Sequence, residues 1–261
     1  MRKSLRNCQR IAIKAGTSIL TSSGGKIGES HLERLGHQVI QLMRQKKQAV
    51  LVSSGAIAYG MESSGLKKRP KEMPKLQACA AIGQGKLMYA YERYFSRHGI
   101  HTAQILLTRD GLEDRERFLA ARRTLKQIFE MKALPIVNEN DTVATEEIAF
   151  GDNDILSVHV SHLINADLLI ILSDVDGFYL DSGERVREVS SIAEVENDLV
   201  RHLRDSKKEK TVGGMRAKLK AARVAMELGV PMLMVNGHKE NIIEQALNGE
   251  DVGTLFRVSS R

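Results

Sequence analysis

Six short aliphatic runs punctuate the chain: Ile11–Ile13, Ala49–Val52, Gln104–Leu107, Leu134–Val137, Leu168–Leu172 and Met232–Val235. Their apolar residues follow one another rather than alternating, which predicts strands buried on both faces, as in a parallel sheet covered by helices on each side. Between the first two runs, Leu32, Leu35, Val39, Leu42 and Met43 recur at helical spacing, and Ser30-His-Leu-Glu33 at their head has the form of a capping box. Strand, helix and strand make a βαβ unit. Further helices are predicted near 75–97, 112–130, 153–165, 191–204, 214–228 and 239–248. In the helix near 214–228, Met215, Leu219, Ala222 and Met226 form a stripe, and Gly229 with Pro231 supplies the stop. The alternation runs from end to end without a fixed-period repeat or a Pro/Gly-rich linker, so the expected fold class is α/β: one three-layer αβα sandwich over 1–261 with a mainly parallel central sheet. Two stretches break the pattern: 60–74, rich in Gly, Ser, Lys and Pro, and 138–152, polar and acidic. Long loops inside a compact domain often carry function.

Composition narrows the function classes. Of 261 residues, 42% are hydrophobic and 27% charged, which supports a sizeable core and excludes disordered and disulfide-stapled classes. Aromatic residues make up only 4% and tryptophan is absent, which argues against stacking single-stranded nucleic acid on aromatic platforms. A net charge of +7, from 39 basic and 32 acidic residues, favours polyanions or phosphorylated small molecules. The two cysteines, Cys8 and Cys79, lack CxxC spacing and read as packing residues of a reducing compartment. The basic start, residues 1–10, resembles a signal-peptide head, but Lys14 interrupts the apolar stretch after it and no later run has membrane-spanning length. A soluble, cytoplasmic protein is expected.

In an open parallel sheet, ligands gather at the carboxyl ends of strands, beside the amino ends of the following helices. The first strand runs into Lys14-Ala-Gly-Thr-Ser18, either a phosphate-holding turn or a plain strand end. The second runs into Ser53-Ser-Gly-Ala56, a small-residue turn that backbone can share closely with a ligand. Asn138-Glu-Asn-Asp141 and Gly151-Asp-Asn-Asp154 concentrate amides and carboxylates suited to an amino-acid ammonium or to magnesium on phosphates, with helix capping by Asp152 or Asn153 as the plainer reading. Val212-Gly-Gly-Met-Arg-Ala-Lys218 opens a predicted helix with two glycines and a lysine one turn in, suited to the terminal phosphates of a nucleotide or to a solvated basic helix.

Absent motifs exclude other chemistries. The chain has no Gly-x-Ser-x-Gly nucleophile elbow, no Gly-x4-Gly-Lys-Ser/Thr phosphate loop, no Gly-x-Gly-x-x-Gly after the first strand and no His-Glu-x-x-His. Ser173-Asp-Val-Asp-Gly177 lacks the remaining positions of a calcium loop, and His159 with His162 is a weak metal signal.

Lys14-x-Gly-Thr-Ser18, Val52-Ser-Ser-Gly-Ala-Ile57, Leu107-Thr-Arg, Asp114-Arg-Glu-Arg-Phe118, Val137-Asn-Glu-Asn-Asp141, Gly151-Asp-Asn-Asp154, Ser173-Asp174, Gly213-Gly-Met-x-x-Lys218 and Val252-Gly-Thr-Leu-Phe256, taken in order, resemble the glutamate 5-kinase branch of the amino acid kinase family. The resemblance spans nearly the whole chain. It implies transfer of the ATP γ-phosphoryl group to the side-chain carboxylate of L-glutamate, giving glutamate 5-phosphate in the first step of proline biosynthesis. It further implies that Ser54, Asp141 and Asn153 bind glutamate with Asn138 nearby, and that Lys14, Ser173, Asp174, Val212, Gly213, Gly214, Met215, Arg216, Ala217 and Lys218 serve ATP. Lys14, Lys218 and Asp154 form the catalytic set, Asp154 orienting the two lysines. Mg²⁺ accompanies the ATP, and no residue is assigned to it as a metal ligand.

The same resemblance implies a glutamate-binding lobe at about 1–165, an ATP-binding lobe at about 166–261, a homodimer or homotetramer and feedback inhibition by proline. Two positions depart from the family pattern, Val212 and Ser173 standing where threonines are usual. Many relatives continue into a PUA domain; this sequence stops at Arg261, so a short form is expected and the basic surplus is not read as RNA binding. Other readings are a kinase for N-acetylglutamate, aspartate, carbamate or UMP, or a non-catalytic amino-acid sensor.

Overall fold

In a computed structural model, residues 2–21, 28–143, 153–195 and 209–258 are described, with the backbone alone for 209–213. The six aliphatic runs all lie in strands: β1 (Arg10–Ala15), β2 (Gln48–Ser53), β3 (Thr102–Leu107), β4 (Leu134–Glu139), β5 (Leu168–Ser173) and β7 (Met232–Asn236). Two short strands, β6 (Glu188–Val189) and β8 (Thr254–Phe256), join them. The helices are α1 (Thr17–Leu20), α2 (Glu29–Arg44), α3 (Ala56–Ser63), α4 (Met73–Ser96), α5 (Arg109–Glu113), α6 (Arg115–Glu130), α7 (Asn153–Leu163), α8 (Glu209–Glu227) and α9 (Ile242–Leu247). The fold is α/β, an eight-stranded and mainly parallel sheet flanked by helices, as the apolar runs predict.

The chain forms two compact units, Ala15–Asn153 and a second built from Met1–Lys14 with Asp154–Arg261. In this division the first strand through Lys14 belongs with the C-terminal part.

In the Ala15–Asn153 unit, β3, β4 and β2 lie side by side and parallel, with Leu51 opposite Ile136 and Ile105 opposite Val137. Strand β4 is buried along its whole length, including its polar end at Asn138 and Glu139. Strand β3 departs from the expectation of two covered faces: it is the edge strand, and Leu106 is 38% exposed. Turn chemistry also places helices here. Thr108 caps α5 by accepting from the Gly111 N–H, and Asp114 caps α6 by accepting from the Arg117 N–H. The capping box expected at Ser30 does not form. Helix α2 starts from Gly28, whose N–H is held by the Leu20 carbonyl, so Ser30 already lies inside the first turn.

The stretch after β2 was expected to be loop from residue 60, but α3 continues to Ser63 and packs on α4. Its entry needs glycine, because Gly55 has φ 112°, a conformation that costs an L side chain strain. The two helices touch through Gly60 and Gly83. A Cβ on Gly83 would fall 1.8 Å from the Ala56 carbonyl oxygen, and one on Gly60 1.8 Å from that of Cys79.

In the second unit the strand order is β1-β5-β7-β8-β6. Strands β5 and β7 are parallel, with Ser173 opposite Asn236, whereas β8 runs antiparallel to β7. Strand β8 closes the Val252-Gly-Thr-Leu-Phe256 element and is too short for periodicity to reveal. Helix α8 begins at Glu209, four residues before Gly213, so the paired glycines lie within the helix rather than at its open amino end. The predicted helix at 191–204 lies outside the described residues from 196 onward.

Candidate active site

Each unit gathers polar side chains at strand ends, and the two clusters differ in chemistry. In the second unit the cluster is ionic. Lys14, near the end of β1, is drawn to the start of α7, where its ammonium lies 2.6 Å from Asp154 Oδ1. Lys218, on α8, donates to the other oxygen, Oδ2, at 3.3 Å. The Lys14 and Asp154 side chains are 7% and 6% exposed and that of Lys218 is 16% exposed. Burial alone would raise the Asp154 pKa, yet the flanking ammoniums of Lys14 and Lys218 hold it below the ordinary carboxylate value. One carboxylate between two ammoniums leaves a buried surplus of one positive charge, which an anion offsets.

Ser173, the last residue of β5, is buried and donates from Oγ to Asp174 Oδ1 at 3.2 Å, while Asp174 itself is exposed. Along α8, Gly214 and Arg216 are exposed and Met215, Ala217 and Lys218 are half-buried. The side chain of Val212 and the surroundings of Gly213 lie outside the described residues.

In the Ala15–Asn153 unit the cluster is neutral and built of amides and hydroxyls. Asn153 Nδ2 shares its two hydrogens among three acceptors, the Ser53 carbonyl at 3.2 Å, Ser54 Oγ at 2.9 Å and Asn138 Oδ1 at 3.0 Å. Three of the expected glutamate residues, Ser54, Asn138 and Asn153, are thus joined directly. Asp141 is not part of that network. It occupies the turn after β4, where burial pushes its pKa up to about 6 against the opposing pull of Arg69.

Two members of this cluster, Gln84 and Tyr91, were not singled out by the sequence. Gln84 on α4 accepts from Asn138 Nδ2 at 2.9 Å. Tyr91, fully buried on the same helix, meets Ser53 Oγ at 2.8 Å, and Ser53 Oγ donates to the Ser54 carbonyl at 3.0 Å. Burial raises the Tyr91 phenol pKa, so the group is a neutral donor. The available signal was a glutamine between two glycines, Gly83 and Gly85, and a tyrosine in a chain poor in aromatics.

No group of three or more His, Cys, Asp or Glu side chains among the described residues converges as a metal ligand set. Among those same residues, no helix is long and apolar enough to cross a membrane. Both cysteines are free and buried.

The model of the amino acid kinase family matches residues 9–236, which include every site residue just placed. The chain belongs to the amino acid kinase family. Within it, the chain is 45% identical over 256 residues to the glutamate 5-kinase of Geobacter metallireducens, covering 97% of this chain and 68% of that protein. It is 43% identical over 258 residues to the glutamate 5-kinase of Symbiobacterium thermophilum, covering 98% of both. The solved carbamate kinase from Giardia lamblia bound to AMP-PNP superposes with a TM-score of 0.70 at 16% identity, over 97% of this chain and 100% of that one. At that identity the likeness speaks for the amino acid kinase fold alone.

Proposed function

We propose that this chain transfers the γ-phosphoryl group of ATP to the side-chain carboxylate of L-glutamate, giving glutamate 5-phosphate and ADP. The observation that carries the reaction type is the pair of lysines on one buried carboxylate, Lys14 and Lys218 on Asp154. The substrate rests on the glutamate 5-kinases that are its relatives over nearly the whole chain.

The acceptor carboxylate is ionised at neutral pH and needs no general base. What the protein must supply is the approach of one anion to another in line. Lys14 and Lys218 would neutralise charge spreading over the transferring oxygens, and Asp154 would keep both ammoniums turned to the same place. Ser173, Asp174 and the segment 212–218 would hold the nucleotide; the Ser173 hydroxyl, already bonded to Asp174, supports the role usually given to threonine there. With Val212 that position has no hydroxyl to offer. Mg²⁺ would enter with the nucleotide as MgATP and neutralise its phosphates, while both Asp154 oxygens face lysines.

For glutamate we assign Ser54, Asn138, Asn153 and Asp141. The Asn153 Oδ1 atom is buried without a hydrogen-bond partner, an acceptor fit for the substrate ammonium, and Asp141 supplies a charge of the right sign. The amino-acid residues then come from the Ala15–Asn153 unit and the nucleotide residues from the other. The reading extends to a cytoplasmic homo-oligomer inhibited by proline. Sedimentation and inhibition by proline at subsaturating glutamate test those two parts.

The decisive experiment is glutamate-dependent ADP release with hydroxylamine trapping of the acyl phosphate, run beside N-acetylglutamate, aspartate, carbamate and UMP. Hydroxamate formed with glutamate alone is the expected result. ADP release indifferent to glutamate would defeat the proposal.

A further inference from the structure

The amide cluster beside Ser54 has a direction that one backbone group dictates. The Glu139 N–H donates to Asn138 at 2.9 Å, and since a backbone N–H only donates, the Asn138 atom there is the oxygen. The Asn138 nitrogen must then donate to Gln84, so the atom of Gln84 it meets is Oε1. The same oxygen of Asn138 also receives Asn153, so the contacting atom of Asn153 is nitrogen, which agrees with its bonds to the Ser53 carbonyl and Ser54 Oγ. Three side-chain amides therefore form a chain of single polarity from Asn153 through Asn138 to Gln84. At its far end remains Asn153 Oδ1, on a residue only 7% exposed and without a partner of its own.

Asn138 is held from two sides. The Glu139 N–H takes its oxygen, and Gln84 takes its nitrogen on a residue that is 2% exposed and has little water to turn to. The backbone that carries Gln84 is fixed, because its neighbour Gly83 sits against the backbone of α3 with no room for a Cβ. Without an acceptor at position 84, a buried amide N–H loses its bond, Asn138 gains reason to turn, and Asn153 loses one of the acceptors that aim it.

We propose that Gln84 is a positioning residue of the amino-acid site, accepting from Asn138 Nδ2 so that the amide chain keeps Asn153 Oδ1 as the acceptor for the substrate ammonium. This rests on the assignment of glutamate to Ser54, Asn138 and Asn153. Gln84 touches no reacting atom in this scheme; it acts through two other side chains. A positioning role at this end of the site predicts a loss confined to one substrate.

The test is steady-state kinetics of the full chain with Gln84→Met, which keeps length but lacks an acceptor, and Gln84→Glu, which keeps an acceptor for Asn138. With Gln84→Met the glutamate KM should rise about tenfold while the ATP KM stays within about twofold, a split that general loosening would not give. Gln84→Glu should stand nearer the parent than Gln84→Met, and if the Met variant is insoluble, a Glu variant within about threefold of the parent glutamate KM still supports the proposal. An unchanged glutamate KM in Gln84→Met, equal rises for both substrates, or a Glu variant worse than the Met variant or more than about tenfold above the parent would overturn it. No glutamate-dependent ADP release from the unaltered protein would instead remove the proposed function, so the two failures are distinct.

Discussion

Lys14 and Lys218 hold opposite oxygens of the Asp154 carboxylate, at 2.6 Å and 3.3 Å. A surface pair of this kind contributes little, but here the carboxylate and one lysine are almost wholly removed from water, and breaking such an arrangement is expensive. The three residues come from the end of a strand and from two helices far apart in sequence, so the charge arrangement is a product of the fold.

On the proposed assignment, replacing either lysine by alanine would remove charge where the transferring oxygens gain it. Lys14→Ala and Lys218→Ala should each lower kcat by roughly 10²–10³, with smaller changes in either KM, as for other losses of transition-state charge stabilisation. Steady-state kinetics with both substrates varied checks this. A change confined to the glutamate KM would contradict the assignment.

Asp154→Asn leaves two ammoniums together without their counter-charge. Unfolding by denaturant should show a loss of about 3–5 kcal/mol, the range for opening a buried ion pair, along with a kcat fall that added Mg²⁺ does not restore. A variant as stable as the parent would mean that the lysines relax into solvent. The depressed Asp154 pKa also sets a direction: its contribution to stability is present above the ordinary carboxylate value and is lost as pH falls through the lower folded one.

Asp141 moves the other way. Its pKa is raised by burial from 3.8 to about 6, so it loses its charge as pH falls through that value. If it binds the glutamate ammonium, the glutamate KM should rise below about pH 6 while kcat at saturation holds, and Asp141→Asn should flatten the profile. At this residue the folded protein takes up the proton before the unfolded chain does, so acidification between about 6 and 3.8 favours folding there. A KM profile unaltered in Asp141→Asn would assign the titration elsewhere.

Tyr91→Phe deletes one oxygen from the centre of the Ala15–Asn153 unit. Ser53 Oγ spends its proton on the Ser54 carbonyl and so receives the Tyr91 O–H; without that donor a buried lone pair is left over. Thermal or denaturant unfolding should show a cost of about 1–2 kcal/mol, with a modest rise in glutamate KM and no change in ATP KM. An effect on ATP instead would disconnect the hydroxyl from the Ser54 turn.

Much of the architecture was legible because burial writes itself as consecutive aliphatic residues: β1, β2, β4, β5 and β7 needed nothing else. The edge strand β3 misled, since an apolar run does not reveal that one face meets solvent. Helix α3 was hidden by its small residues, Gly60 above all, whose reason is contact with α4 and not helix propensity. In the site, Lys14, Asp154 and Lys218 stood in recognisable motifs. Gln84 and Tyr91 did not, because each acts through a single hydrogen bond to a strand far away in sequence, and no local spacing encodes such a partner.

The Gly60–Gly83 contact has a consequence for how this enzyme can change. Two backbones pressed together without side chains between them form a joint that cannot slide by small steps, because any added carbon meets a carbonyl oxygen. Substitutions that survive laboratory evolution should therefore fall on other residues of α3 and α4, while Gly60 and Gly83 stay as they are and the helices keep their seat.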